Sequence, residues 1–518
     1  MAFSTFAAID VGSNELSLKI YEISKKNGIQ ELEHVRHAME LGADTYKYKK
    51  IRYALVNEMC EVLSRFSDKM KEYEITDYVA YATSAIREAS NSILILDQLK
   101  LHSGIKVKIL SNSEQRFLCY KAIAQKMSSF QKIIQKGTAL VDVGSGSIQI
   151  TLFQHGCLQM TQNIKLGSLR IRELLGSLEN QTNHFIGLIS EYINNEMITF
   201  SELFLREQKI ENLIVTGEQL NFLMHFLSKQ SGETPVSAKE FNTYFESLLA
   251  KPIDVITRNL TNSKNTFLSR EQVSLIIPTA LIYHKIFEDT NAKHIYFSEV
   301  TLCDGIAAEY AEKKEKMVSQ HDFTNDILSC AKNIASRYHC NRAHNENVAY
   351  LALTIFDSLR KVHGLGKRER LLLEIAVILH SCGDFINLNR SEENSYHIVM
   401  STEIIGLSHK EREIVANLVH YSPETFPRYS HFIDSMEKDT YIKLSKLFAI
   451  FLIANALDKS HKQKITDIKI SFKQNILNIT ANTSEDITLE YGLFDEKATF
   501  FEEVYGLKPC IKQKRRFT

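Results

Sequence analysis

The 518-residue chain has no excess of charge of either sign, since 62 Lys and Arg balance 62 Asp and Glu. It therefore lacks the overall basic field that would argue for nucleic acid. The one basic cluster is the tail Lys508, Lys512, Lys514, Arg515 and Arg516, which reads first as a solvated terminus and second as a weak polyanion contact. None of the eight cysteines forms a C-x-x-C pair. In a long chain without a signal peptide they read as reduced core thiols, which excludes a disulfide framework and a zinc site. No apolar run reaches the length of a membrane span, and the N-terminus enters a strand almost at once. These absences predict a cytoplasmic protein with neither a membrane nor a nucleic-acid partner. A hydrophobic content of 44% and a charged content of 24% are those of a globular chain, long enough here for more than one domain.

What is present is one stretch written twice. Residues 9–20 read Ile-Asp-Val-Gly-Ser-Asn-Glu-Leu-Ser-Leu-Lys-Ile, and residues 141–152 read Val-Asp-Val-Gly-Ser-Gly-Ser-Ile-Gln-Ile-Thr-Leu. Asp10, Gly12 and Ser13 recur as Asp142, Gly144 and Ser145. Each copy follows an apolar run and continues in period-2 alternation, which predicts a strand, a tight glycine turn and a second strand. A carboxylate at the strand end repels phosphate and suits a divalent cation, so Asp10 and Asp142 are the candidate metal ligands. The turns Gly12-Ser13-Asn14 and Gly144-Ser145-Gly146-Ser147 offer backbone N–H groups and hydroxyls to phosphate oxygens. Either copy alone reads as an ordinary hairpin; their repetition about one domain apart carries the reading of a two-sided phosphate clamp.

A third candidate contact follows the strand at 77–82. Thr83 and Ser84 can cap a helix whose free N–H groups, with Arg87 one turn in, would face an anion. The plainer reading is a capped helix with a solvated arginine.

The paired loops, with Ala82-Thr83-Ser84-Ala85-Ile86-Arg87-Glu88-Ala89-Ser90-Asn91 between them, resemble those of the actin, sugar-kinase and heat-shock-chaperone ATPase superfamily. Within it the wording is most similar to the exopolyphosphatase and guanosine-pentaphosphate phosphatase family. The resemblance implies an α/β fold of two actin-like (ribonuclease H-like) domains, over 1–130 and 131–312. A helical HD-like domain over 320–440 and a small α+β piece over 441–518 would follow. It also implies Mg²⁺ as cofactor and hydrolysis of terminal phosphate from polyphosphate or guanosine pentaphosphate. A homodimer is a further expectation.

Several positions depart from the family's pattern. Aligning Leu110-Ser111 places Glu114 on the first of two family glutamates and Gln115 on the second, the general base. An amide cannot take a proton from water, and losing a general base typically costs about 10²–10⁴-fold. A one-residue slip in that alignment would let Glu114 serve instead. Gln149 stands where an acidic metal or water ligand is expected, Glu15 replaces a serine, and Glu218 replaces a threonine. In the C-terminal half, His344, His380, His397 and His420 recur at intervals, but the dyad reads His380-Ser381, and Asn394 and Asn455 stand where further ligands would be sought. These histidines are expected in the core or at an interface, without a metal. Two functions remain open: a phosphohydrolase, and a non-catalytic or very slow binder of polyphosphate or guanosine polyphosphates. A sugar-kinase-like ATP enzyme is disfavoured by Glu218.

Overall fold

The computed structural model describes residues 3–514 apart from 183, 207, 221–223, 225–233, 252–254, 256–257, 259–269, 316, 318–320 and 434–435. It divides into two compact units, Met1–Asp326 and Ile327–Thr518. The first holds two sheets built on one plan.

The apolar run Phe6–Ile9 is wholly buried and forms the centre of β1 (Ser4–Val11). Antiparallel β2 (Glu15–Ser24) and β3 (Gly28–Ala38) lie to one side of it, and parallel β4 (Asp77–Ala82) and β5 (Val107–Ile109) to the other, in the order β3-β2-β1-β4-β5. The second sheet repeats this with β6 (Thr138–Val143), β7 (Ile148–Gln154), β8 (Cys157–Ile164), β9 (Asn212–Gly217), β10 (Val236–Ser237) and β11 (His294–Phe297), ordered β10-β11-β9-β6-β7-β8. Register repeats too. Asp10 lies opposite Ser17 on β2 and Tyr81 on β4, while Asp142 lies opposite Gln149 on β7 and Thr216 on β9. Both aspartates thus sit at the carboxyl end of a central strand, the edge where open α/β sheets bind ligands.

One face of the first sheet (Ala7, Ile9, Leu18, Ile20) is covered by the helix Tyr53–Glu72 through Met59, Leu63 and Phe66. The other (Phe6, Ala8, Tyr21, Ile23) is covered by a helix from far along the chain, Leu302–Lys313, through Leu302, Cys303, Ile306 and Ala307. Lys19 Nζ and the Tyr21 hydroxyl tie down Asp304 of that helix at 3.1 and 2.8 Å. The segment 131–312 is therefore not one packing unit: its last helix belongs to the first sheet, because the apolar alternation of β1 leaves both faces needing cover.

The second unit is helical over Arg342–Ser358, Lys367–Leu379, Ser391–Ser401, His409–His420 and Lys438–Ala456, the last running across the expected boundary at 440. A sheet follows, β12 (Ile468–Lys473), β13 (Ile476–Asn482) and β14 (Lys508–Lys514), with the helix Thr488–Tyr505 between the parallel strands β13 and β14. The basic tail is thus a strand up to Lys514: Pro509 and Ile511 are buried while Lys508, Lys512 and Lys514 face outward. Arg515 and Arg516 lie outside the described residues. His344 is fully buried, its Nδ1 2.9 Å from Asp458 Oδ2 and its ring stacked on His461 at 3.7 Å. The carboxylate beside it is Asp458, one turn beyond Asn455. His380 shares a hydrogen bond with the Val377 carbonyl through Nδ1, His397 is exposed, and the His420 ring lies against Tyr396. Asn394 is half-buried on the Ser391–Ser401 helix. Among the described residues no three His, Cys, Asp or Glu side chains are grouped to hold a metal, and no helix is long and apolar enough to cross a membrane.

Candidate active site

The two glycine turns close in the same way: Gly12 N donates to Glu15 O and Gly144 N to Ser147 O, each at 3.0 Å. The fold then brings both turns and Ser84 to one point. Ser13 Oγ and Ser84 Oγ are 2.8 Å apart, and the Tyr46 hydroxyl donates to Ser13 Oγ at 2.9 Å. Gly146 packs onto this trio so closely that a Cβ there would overlap the Tyr46 hydroxyl and Ser84 Oγ. Arg170 anchors the second turn, with Nε donating to Gly146 O at 2.8 Å and the guanidinium 4.0 Å over the Tyr46 ring. Its other end holds Glu88 at 2.9 Å. Gly12–Asn14, Ser84 and Gly144–Ser147 are therefore neighbours.

Arg87 points elsewhere. Its guanidinium donates to Leu110 O at 2.7 Å and to Asn112 Oδ1, so it fixes the start of the helix Asn112–Lys126. Glu114 is engaged at the same helix start, where its Oε2 accepts from Ser111 N at 3.0 Å and Ser111 Oγ at 2.7 Å. With Glu114 N donating back to Ser111 Oγ, the pair is a capping box. Among the described residues Gln115, next along, keeps a buried Oε1 without a hydrogen-bond partner; so do Gln149 and, through Oδ1, Asp10.

Behind the turns lies a group of acids. Burial pushes Asp10 well above the usual carboxylate range, and the charges of Glu218, Glu15 and Asp142 add to this. Burial also carries Asp142 up to about 6, against the pull of the Arg116 guanidinium and a hydrogen bond from Cys119. Arg116 is 1% exposed and donates to Thr161 Oγ1. Glu218 is pushed up to about 7 by burial and by Glu15 and Asp142, though Ser145 Oγ donates to its carboxylate. It reaches the turn because Gly217, at φ +149°, brings the end of β9 against Val143 O, where a Cβ has no room. Glu15 is itself balanced by Arg36 on β3, Nε lying 3.1 Å from both carboxylate oxygens. Sequence reasoning missed Tyr46, Arg116 and Arg170 as parts of the site. Arg116, adjoining Gln115, carried a local signal.

Buried oxygens without partners beside mutually repelling carboxylates suit a divalent cation. With no three ligands grouped among the described residues, Asp10 and Asp142 would hold it together with water and phosphate oxygens, the way Mg²⁺ is usually bound at phosphoryl sites.

Residues 19–314 match the model of the Ppx/GppA phosphatase family, more than half of the chain, and residues 328–496 match that of Ppx/GppA phosphatase domain III. The chain belongs to the Ppx/GppA phosphatase family. The expected enzyme class, a hydrolase of phosphoanhydride bonds, goes with that family. Among its relatives is a guanosine-5'-triphosphate,3'-diphosphate pyrophosphatase of Photobacterium profundum, 20% identical over 437 residues that span 80% of this chain and 79% of that protein. Exopolyphosphatase 1 of Mycobacterium leprae is 20% identical over 44% of this chain and 66% of its own. In fold, the crystal structure of an exopolyphosphatase from Cytophaga hutchinsonii superposes with a TM-score of 0.51 at 16% identity, covering 60% of this chain and 97% of its own. Those shares fit the two-sheet architecture of the first unit.

Proposed function

We propose that the protein is a Mg²⁺-dependent phosphohydrolase that removes terminal phosphate from inorganic polyphosphate or guanosine pentaphosphate. The observation that carries this reading is the meeting of both glycine turns and Ser84 directly in front of Asp10 and Asp142. The turns' N–H groups and hydroxyls would hold a phosphate chain, and positioning with charge neutralisation is most of what phosphoryl transfer to water needs. When bound, Mg²⁺ supplies charge neutralisation at the transferring group. Gln115 and Gln149 would orient water or phosphate through their amides but accept no proton. Glu114 is held in its capping box. We assign proton acceptance to Glu218, which lies one hydrogen bond from Ser145 and titrates near neutrality.

The second reading, a polyphosphate or guanosine-polyphosphate binder without useful turnover, draws on one observation: both expected catalytic carboxylates are amides. Phosphate release from long-chain polyphosphate with Mg²⁺, in wild type, Asp142→Asn and Glu218→Gln, separates the two. Hydrolysis in wild type that both substitutions abolish supports the enzyme. Tight binding with no release in any of the three leaves the binder.

A further inference from the structure

We propose that Cys340 and Cys382, in the second unit, are a dithiol that a hydroperoxide converts to a reversible disulfide. Their sulfurs are 3.3 Å apart and share a hydrogen bond. A disulfide is about 2.05 Å long, so closing it asks for little more than 1 Å of combined sulfur travel. Cys340 follows the turn at Tyr338-His339, and Cys382 opens the short 3-10 helix Cys382–Phe385. Cys340 N donates to Ala335 O at 3.0 Å after the helix Phe323–Arg337, and Asp384 N donates to Ser381 O at 3.2 Å after the helix Lys367–Leu379. The side chains can therefore close without unwinding either helix.

The two thiols differ as a nucleophile and its resolving partner should. Cys340 is half-buried and within reach of solvent, whereas Cys382 is fully buried. The hydrogen bond shared with Cys382 holds the Cys340 thiol below its ordinary value, and Cys382 is correspondingly pushed up by that bond and by burial. The Cys340 thiolate would attack the outer peroxide oxygen, breaking the O–O bond and releasing the alcohol once the leaving oxygen takes a proton. Cys382 would then attack the Cys340 sulfenic acid, lose its own proton and expel water. Two thiols and one hydroperoxide thus give one disulfide, one alcohol and one water. The link would close a loop holding the helices Arg342–Ser358 and Lys367–Leu379, restraining the unfolded chain.

The full-length protein is treated with tert-butyl hydroperoxide, alkylated and mapped by mass spectrometry. Cys157 and Cys510, also half-buried, are internal controls. The expected result is a Cys340–Cys382 linked peptide lighter by two hydrogens, formed before either control is oxidised and reversed by dithiothreitol. In Cys382→Ser, dimedone should label Cys340; in Cys340→Ser, Cys382 should stay reduced. Wild-type Cys340 and Cys382 that remain alkylatable while Cys157 or Cys510 oxidises would overturn the proposal. So would a disulfide joining Cys340 to any other cysteine.

Discussion

Ser145, in the second glycine turn, donates its hydroxyl to the Glu218 carboxylate at the end of β9, so an acid pushed up to about 7 touches the loop proposed to hold phosphate. The folded protein keeps this carboxyl protonated at pH values where the unfolded chain has released the proton. Its stabilising contribution is complete below about 4.5, the unfolded value, and is lost as pH rises through about 7. Glu218→Gln keeps an acceptor for Ser145 and removes the charge. Its thermal midpoint should match wild type near pH 4.5 and exceed it at pH 8, while phosphate release falls. Midpoints that stay parallel across this range would show that the carboxyl is not held protonated.

Arg116 opposes the burial of Asp142. Arg116→Met should raise Asp142 further and weaken Mg²⁺ binding, because a cation must displace the proton. The Mg²⁺ concentration for half-maximal phosphate release should rise at pH 6.5 and recover toward wild type by pH 8.5. A deficit independent of pH would point instead to lost packing around Thr161.

The two glycines of the second turn should differ sharply. A Cβ at position 144 meets only Ser147 O at 3.4 Å, an ordinary contact, whereas one at 146 overlaps Tyr46 and Ser84. Gly144→Ala should leave polyphosphate affinity within a few-fold of wild type. Gly146→Ala should weaken it at least about tenfold, since the turn must shift off the trio. Equal effects, measured by equilibrium binding, would separate that trio from the phosphate site.

Gln115→Glu with Gln149→Glu restores two carboxylates in place of buried amide oxygens that lack partners among the described residues. If turnover is limited by proton acceptance, Mg²⁺-dependent release should rise by about 10²-fold, the scale of one general base. An unchanged rate in a variant that folds and binds would leave Glu218 as the sole base.

Arg87→Ala and Glu114→Ala should act on stability before they act on binding. Each removes contacts that hold the start of the helix Asn112–Lys126, and losing such a cap costs about 0.5–2 kcal/mol. Denaturant midpoints should fall while polyphosphate affinity keeps its salt dependence. A flatter salt dependence in Arg87→Ala would instead make the guanidinium a phosphate contact.

The paired hairpins were legible because period-2 alternation and a glycine turn are local signals, and their repetition exposed the common plan of both sheets. Asp10 and Asp142 followed directly from it. Tyr46 and Arg170 were not legible, since each acts through contacts with segments far away in sequence. Ser111 and Glu114 show a different limit. Their spacing is that of a capping box at the start of a helix, and the same residues resemble a catalytic motif, so spacing alone did not separate the two roles for Glu114. At β14 a charge pattern masked a strand, because only Pro509 and Ile511 carry its buried face.

The helix Leu302–Lys313 covers a face of β1 that leaves the ribosome roughly 300 residues before it. At synthesis rates of about 5–20 residues per second, Phe6, Ala8, Tyr21 and Ile23 wait on the order of 15–60 s for their cover. The N-terminal sheet therefore spends most of translation with an apolar side open, a natural binding surface for chaperones on the nascent chain. A fragment ending near residue 130 would keep that side open permanently and should be recovered only as aggregate unless Leu302–Lys313 is supplied in trans.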